Sequence, residues 1–402
     1  MPIFFPYIIN IESQAEAATI LRRLGVSGDG VTHMAAKALG RVIHVSGLEA
    51  VEANILKQEM LSMGGDAALP ANVWRLQEGN AESLVMGTPR QFEDLVPRLQ
   101  KKPFRLPRLG EEIAACSRRY EAAMNGEVTV PARLGKQPWL VMGILNVTPD
   151  SFHDRGRYGQ FYAAVERARE MAAAGAAIID VGGESTRPGA AGITLKEELG
   201  RVVPVVEALA AELKIPISVD TCKAGVARAA LEAGAAMIND ITALRGDRTM
   251  ARVAAEHGCP VCLMHMQGTP RDMQKNPRYR DVVGDLAGFF LERVEWAERR
   301  GIRRENIILD PGIGFGKKLE HNLSIIRRLD SFLSLGLPVM IGASRKSFLG
   351  KISRDRGTEE RLIGTVAANT IAYGKGARIF RVHDVAENVQ ALKVAAATRE
   401  AR

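Results

Sequence analysis

No run of about 18 uninterrupted apolar residues occurs in the chain, which excludes a membrane-spanning helix of ordinary length. The start, MPIFFPYIIN, carries an apolar patch but neither a basic leader nor a cleavage signature, and Glu12 and Glu16 follow it. It reads as a first strand, not a signal peptide. Aromatic residues make up only 5% of the 402 residues, and no five or six basic residues stand together, so a base-stacking, phosphate-tracking surface is not encoded. Nucleic acid and membrane are therefore not expected as partners. The net charge of +8 is spread over scattered Lys and Arg, which points to a phosphorylated small molecule as the anionic partner.

Cysteine is scarce too, with Cys116, Cys222, Cys259 and Cys262 only. Cys259 and Cys262 form a nominal C-x-x-C flanked by His257 and His265. The segment PVCLMH reads as a buried strand, where residues three apart face opposite ways and cannot readily close a disulfide or clamp one ion. Core cysteines in a reducing compartment follow.

What is present is a pattern repeated eight times from residue 139 onward. A short apolar run ends in a polar residue or glycine, a loop follows, and an amphipathic helical stretch leads to the next run. The runs are WLVMGIL ending at Asn146, AIIDV near Gly182, PISV at Asp220, AMI at Asn239-Asp240, PVCLM at His265, NIIL at Asp310, PVMI at Gly342 and ARIFRV at His383. Consecutive aliphatic residues are the mark of parallel strands buried on both faces. Helical stretches such as 160–174, 196–213, 281–300 and 359–373 separate them, and glycines at helix ends (Gly175, Gly234, Gly258, Gly301, Gly336) fit C-terminal stops. Eight such units in about 250 residues predict an α/β (β/α)8 TIM barrel, with an open doubly wound sheet as the alternative. The first 125 residues predict a small separate α/β domain, with helices near 13–25, 49–63, 90–101 and 109–124 and strands near 41–46 and 82–87. Residues 126–138 read as a linker or a barrel-closing hairpin. No catalytic constellation stands out before residue 139.

In such a barrel the chemistry sits at the C-terminal ends of the strands. Those ends carry Asn146, Glu184, Asp220, Asn239, Asp310, Lys346, Arg381 and His383. Helix capping accounts for Asn or Asp at such places, but Lys346, Arg381 and His383 are poor caps. Asp220, Asn239 and Asp310 converging from different strands suit the donor–acceptor edge of a flat heterocycle. The Gly182–Gly189 loop carries Thr186 and Arg187, a hydroxyl and a guanidinium suited to an anion. The loop Asn146–Asp154 offers oxygen donors of the kind that hydrated Mg2+ bridging phosphates takes. Gly312–Lys318 lacks phosphate-loop spacing and reads as a mobile glycine loop presenting Phe315. Ser344-Arg345-Lys346-Ser347 and Arg381-Val-His383-Asp384 bring cations to the rim.

In order, GILNVTPDSF, DVGGESTRPGA, SVDT, MIND, LDPGIGFGK, SRKSFLG and RVHD resemble the dihydropteroate synthase family over residues 139–396. The resemblance implies transfer of a pterin methylene from its diphosphate to p-aminobenzoate, dependent on Mg2+, in a cytoplasmic homodimer. It implies that Asn146 is associated with the metal and that Asp220, Asn239, Asp310 and Lys346 hold the pterin, with Arg381 on its ring. Thr186, Asn146, Arg381 and His383 would contact diphosphate, and Arg187, Pro188, Phe315 and Ser347 would form the arylamine pocket where sulfonamides compete. Asp150 and Asp154 would belong to a loop that orders over the diphosphate. His153, Arg155 and Lys318 depart from the usual pattern without removing a catalytic group. A related methyltetrahydrofolate corrinoid methyltransferase would not need the STRPG and SRKS stretches, and a non-catalytic pterin module would be expected to lose Lys346, Arg187 or Asn146. The first 130 residues lie outside the resemblance.

Overall fold

The computed structural model describes residues 9–71, 73, 81–148, 156–185, 192–354, 357 and 359–401. The strand expected in MPIFFPYIIN thus falls almost wholly outside the described residues. The chain divides into two compact units, one built from residues 1–127 with 334–336, the other from 128–333 with 337–402.

The first unit contains helices α1 (Gln14–Arg23), α2 (Gly28–Ala35), α3 (Ala50–Ser62), α4 (Pro89–Leu99) and α5 (Leu106–Met124), with strands β1 (Arg41–Leu48), β2 (Asp66–Ala68) and β3 (Ala81–Gly87). The strands form an antiparallel sheet in the order β1-β3-β2. Leu56 and Met60 of α3, Phe92, Leu95 and Leu99 of α4, and Leu106 and Ile113 of α5 build its core against Val85 of the sheet. Thr88 caps α4, with Gln91 returning the bond to the Thr88 amide, and Pro89 occupies the first turn where its missing N–H costs nothing. Two elements escape the sequence pattern: α2, which starts in the glycine-bearing GDG, and the three-residue β2.

The second unit is an eight-stranded parallel barrel. Its strands are β4 (Leu140–Asn146), β5 (Ile178–Gly182), β6 (Ile217–Asp220), β7 (Met237–Asp240), β8 (Val261–Met264), β9 (Ile307–Asp310), β10 (Met340–Ile341) and β11 (Ile379–Val382). The order β10-β11-β4-β5-β6-β7-β8-β9 is closed by a parallel bridge between Leu309 and Val339, which excludes the open doubly wound sheet. Helices α6 (Gly156–Ala173), α7 (Leu195–Glu212), α8 (Ala224–Glu232), α9 (Met250–His257), α10 (Val282–Glu298), α11 (Leu319–Arg327), α12 (Ser347–Ser353), α13 (Leu362–Gly374) and α14 (Val385–Glu400) lie between and after the strands. Every described strand-to-strand connection is thus of the expected strand–helix kind.

Val130 and Leu134 plug the N-terminal end of the barrel against Leu140, Met142, Ile178, Met237, Cys262, Ile308, Met340 and Ile379. Residues 128–137 do this with a short 3-10 turn (Ala132–Leu134) and not with the hairpin considered from sequence. Cys262 is part of this interior layer and Cys259 is buried with its thiol toward the Ala254 carbonyl, so both are core residues without a disulfide.

Candidate active site

Strand side chains alternate between faces, so residues two apart share a face. Stepping two positions along each strand from the apolar plug therefore reaches inward-facing residues nearer the mouth. From Ile178 the next are Asp180 and Gly182; from Met142, Ile144 and Asn146. Met237 leads to Asn239, Cys262 to Met264, Ile308 to Asp310, Met340 to Gly342 and Ile379 to Arg381. The barrel floor is apolar and its upper interior is polar.

Arg381 is the centre of this polar layer. Its Nε donates to Asp180 Oδ2 at 2.6 Å and its Nη2 to Asp220 Oδ2 at 2.7 Å. Asn239 Nδ2 donates to the same Asp180 oxygen at 3.0 Å. Asp180, which the sequence did not single out, thus joins Arg381 to Asn239, and Arg381 in turn reaches Asp220. Asp180 is fully buried, and its second oxygen, Oδ1, accepts no hydrogen bond from the described residues. Burial raises the Asp220 pKa to about 7, with Arg381 pulling it down and Asp180 pushing it up. Burial also weakens the hold of Arg381 on its proton, but Asp180 and Asp220 outweigh it and its pKa rises.

Gly182 ends β5 between Asn146 of β4 and Asp220 of β6. A Cβ there would lie 3.5 Å from the Asp220 Cβ and 3.8 Å from Asn146 Oδ1, so the glycine keeps the space between those two side chains open.

Opposite, Asp310 and Lys346 bring opposite charges within electrostatic reach of each other. Burial lowers the Lys346 pKa to about 7 against the opposing charge of Asp310, while burial raises Asp310 against the pull of Lys346. Lys346 donates to the Ile313 carbonyl and sits 4.4 Å from the centroid of the Phe315 ring. Phe315 packs against a small apolar cluster of Ile241, Met264, Met266 and Met273. The mouth therefore pairs a hydrogen-bonding edge (Asp220, Asn239, Asp310, Lys346) with an apolar wall, a combination suited to a flat, polar-edged ring.

His383 Nδ1 lies 2.9 Å from Ser344 Oγ, and that hydroxyl also accepts from the His383 amide. Its neighbour Arg345 does not act as a rim cation: its Nε donates to Asp384 at 3.0 Å and its amide to Thr365 Oγ1, bracing a turn in which Arg345 has φ of 55°. Ser347 opens α12 and is exposed. Glu184 accepts from Lys223 Nζ at 2.5 Å and from the Ile193 amide. The capping explanation fits Asp240, whose carboxylate accepts from the Thr242 and Leu244 amides, but not Asp220 or Asn239. Thr186, Arg187 and Pro188, and Asp150, His153, Asp154 and Arg155 of the first loop, lie outside the described residues.

The glycine loop is tied through its carbonyls, which its composition does not predict. Its carbonyls are bonded one after another: Gly312 to the Phe315 amide, Ile313 to Lys346, Gly314 to Gln274, Phe315 to Lys317 and Gly316 to Tyr279. Lys317, like Asp180, is a buried charged residue of the barrel mouth that sequence reasoning passed over.

Residues 142–383 match the family described as pterin binding enzyme. The chain is 51% identical over 262 residues to the dihydropteroate synthase of Escherichia coli, covering 65% of this chain and 92% of that protein. It is 43% identical over 378 residues to a probable bifunctional folylpolyglutamate synthase/dihydropteroate synthase of Haloferax volcanii, covering 91% of this chain. That match takes in most of the first 127 residues, and the chain spans only 44% of the Haloferax protein's length. Among solved structures, the barrel is similar to the Xanthomonas albilineans dihydropteroate synthase with 4-aminobenzoic acid (TM-score 0.62, 45% identity, 65% of this chain and 94% of that one).

Proposed function

We propose the activity from one premise, that this chain belongs to the pterin binding enzyme family and, within it, to the dihydropteroate synthases. It condenses (7,8-dihydropterin-6-yl)methyl diphosphate with p-aminobenzoate to give 7,8-dihydropteroate and diphosphate, a transferase step of folate biosynthesis. The observation that carries this reading is the pairing of a hydrogen-bonding edge with the Ile241–Met264–Phe315 wall at the mouth.

Asn239, Asp310 and Lys346 are assigned to the amino, ring N–H and carbonyl edge of the pterin, and Arg381 to its face. Arg381 is suited to this because Asp180 and Asp220 fix its plane, and a fixed guanidinium stacks well on an aromatic ring. In the reaction the arylamine nitrogen bonds to the pterin methylene as the carbon–oxygen bond to diphosphate breaks, and the amine then loses a proton. Positive charge grows on the methylene, where the carboxylate of Asp220 stabilises it. His383, oriented by Ser344, and Arg381 are assigned to the departing diphosphate, with Thr186. Phe315, Ser347, Arg187 and Pro188 are assigned to the arylamine.

The donor set fits Mg2+: the Asn146 amide, beside Asp220 across Gly182, is a weak neutral ligand of the kind that suits an ion carried chiefly by phosphate oxygens. Such an ion would be held by Asn146 and would neutralise leaving-group charge.

A homodimer is supported by Ile363 and Ile371 of α13 and Val394 of α14, exposed apolar side chains on two helices that pack together. Four cysteines without a disulfide are compatible with the cytoplasmic location the resemblance implies.

The deciding assay is diphosphate release from the pterin diphosphate with p-aminobenzoate and Mg2+. Pure, folded protein that gives no turnover would sink the reading. Lys346→Ala and Asp220→Ala are each expected to abolish turnover with the fold intact, and near-full rate in either would overturn its assignment.

A further inference from the structure

Lys317 is a lysine with almost no contact with solvent and, among the described residues, no carboxylate in its hydrogen-bond shell. Its relative exposure is 3%. Its ammonium reaches three neutral acceptors: His265 Nδ1 at 3.0 Å, the His265 carbonyl at 3.2 Å and the Phe315 carbonyl at 3.0 Å. Burial, against the charge of Asp310, lowers the Lys317 pKa to about 7, and its protonated form has three donors, one for each acceptor. Two bind the end of β8 and the third binds the backbone of the residue that carries the aromatic ring at the mouth. With Lys317 donating, His265 Nδ1 must accept. That fits a neutral imidazole: burial, then the charges of Lys317 and Arg245, lower the His265 pKa to about 2. The imidazole is wedged edge-on against Phe289, 4.8 Å between centroids, and beside Tyr279.

The glycines of the loop explain why it needs such a clamp. Gly312, Gly314 and Gly316 all have positive φ, a conformation that disfavours side chains there, so the loop is held through its carbonyls. A Cβ on Gly312 would stand 2.0 Å from the His265 carbonyl, and one on Gly316 would stand 2.6 Å from the Gln267 carbonyl, so the loop lies directly on the β8 exit. Lys317 spans that contact through the His265 and Phe315 carbonyls, while Lys346 binds the Ile313 carbonyl and lies over the Phe315 ring. A desolvated cation held by neutral acceptors is costly to bury, and a purely structural lysine at this place could be replaced by an apolar residue without that cost.

We infer that Lys317, seated on His265, is a positioning residue that fixes the Phe315 backbone and thereby sets the arylamine pocket. The inference rests on the assignment of Phe315 to the arylamine made above. On this inference Lys317 acts through Phe315 and not by contact with a substrate. Its effect belongs to arylamine recognition, and the pterin edge formed by Asn239 and Asp310 is not held by it.

The test uses the full chain as wild type, Lys317→Met, His265→Ala and His265→Asn. Diphosphate release is measured at varied p-aminobenzoate with saturating pterin diphosphate, pterin affinity is measured separately, and Tm is recorded for each. Losing the bond to the buried Phe315 carbonyl should raise the KM for p-aminobenzoate about tenfold or more in Lys317→Met, with pterin Kd and kcat near wild type. His265→Ala should show part of the same rise. His265→Asn, whose Oδ1 replaces the Nδ1 acceptor, should restore most of it. An arylamine KM unchanged in Lys317→Met, or pterin and arylamine affinities falling together, would overturn the inference. Should Lys317→Met fail to fold, the two His265 variants decide it: equal KM values in both would refute it. A wild type without turnover overturns the activity reading and this inference with it, whereas an active wild type with insensitive variants overturns the inference alone.

Discussion

Replacing Asp180 tests whether one buried carboxylate organises the pterin-facing layer. Its Oδ2 takes the Nε of Arg381 at 2.6 Å and the Nδ2 of Asn239 at 3.0 Å. Asp180→Ala removes both bonds and leaves Arg381 with Asp220 as its remaining carboxylate partner among those bonds. Breaking a buried ion pair by removing one partner costs about 3–5 kcal/mol, and the surviving Asp220 contact places this case at the lower end, about 3 kcal/mol. For a domain of this size that corresponds to a fall in Tm of roughly 6–12 °C. Asp180→Asn is different. Its amide oxygen can take the place of Oδ2 and its NH2 the place of Oδ1, which has no hydrogen-bond partner among the described residues. Only the charge is lost, and the cost should be about 1 kcal/mol. Pterin affinity, titrated by fluorescence, should follow the same ranking, because an unbraced guanidinium no longer presents a fixed plane. Differential scanning calorimetry supplies the Tm. An alanine variant that melts within about 1 °C of wild type and binds pterin with unchanged affinity would refute the reasoning.

Three further outcomes follow. Because burial brings the Lys346 pKa down to about 7, Lys346 loses its proton as pH rises through that value, so kcat/KM for the pterin diphosphate should carry a falling alkaline limb; Lys346→Arg, which stays charged, should lack that limb if it turns over. An identical limb in the arginine variant would rule Lys346 out as its source. Chelation with EDTA should stop turnover and excess Mg2+ restore it, while binding of the pterin alcohol, which lacks diphosphate, stays unchanged; loss of alcohol binding would show that the ion does more than serve the diphosphate. Residues 128–402 expressed alone should retain turnover, because the Xanthomonas albilineans enzyme matches 65% of this chain over 94% of its own length; a folded but inactive barrel would assign the first unit a part in catalysis.

The barrel was legible because a strand covered on both faces must be apolar at successive positions, and eight such runs ending in polar residues leave few alternatives. Asp220, Asn239, Asp310 and Arg381 were legible for the related reason that helix capping is a poor account of convergent polar side chains. The contacts that hold the glycine loop were not legible. Its composition speaks for mobility, but its restraints come from Gln274, Tyr279 and Lys346, distant in sequence and without any period that would announce them. The short β2 and the glycine-led α2 were missed because each is too brief to show a repeat.

Asp180 shows how the site reading could have gone further. Inspecting strand ends considers only the last inward residue of each strand, and on β5 that residue is Gly182. A glycine there has no side chain to cover the position below it, so the next inward residue becomes, in effect, the wall of the mouth. Stepping back two residues from the last inward position of every strand gives Ile144, Asp180, Ser218, Met237, Cys262, Ile308, Met340 and Ile379, among which Asp180 alone is charged. A carboxylate in an otherwise apolar or neutral layer needs a partner, since an unpaired buried charge is too costly to keep. Arg381 is the cation whose strand reaches that interior, and it does so from a position 201 residues away. The pairing therefore follows from strand parity and burial cost together, whereas neither the spacing of residues nor the composition of the segment AIIDV would reveal it.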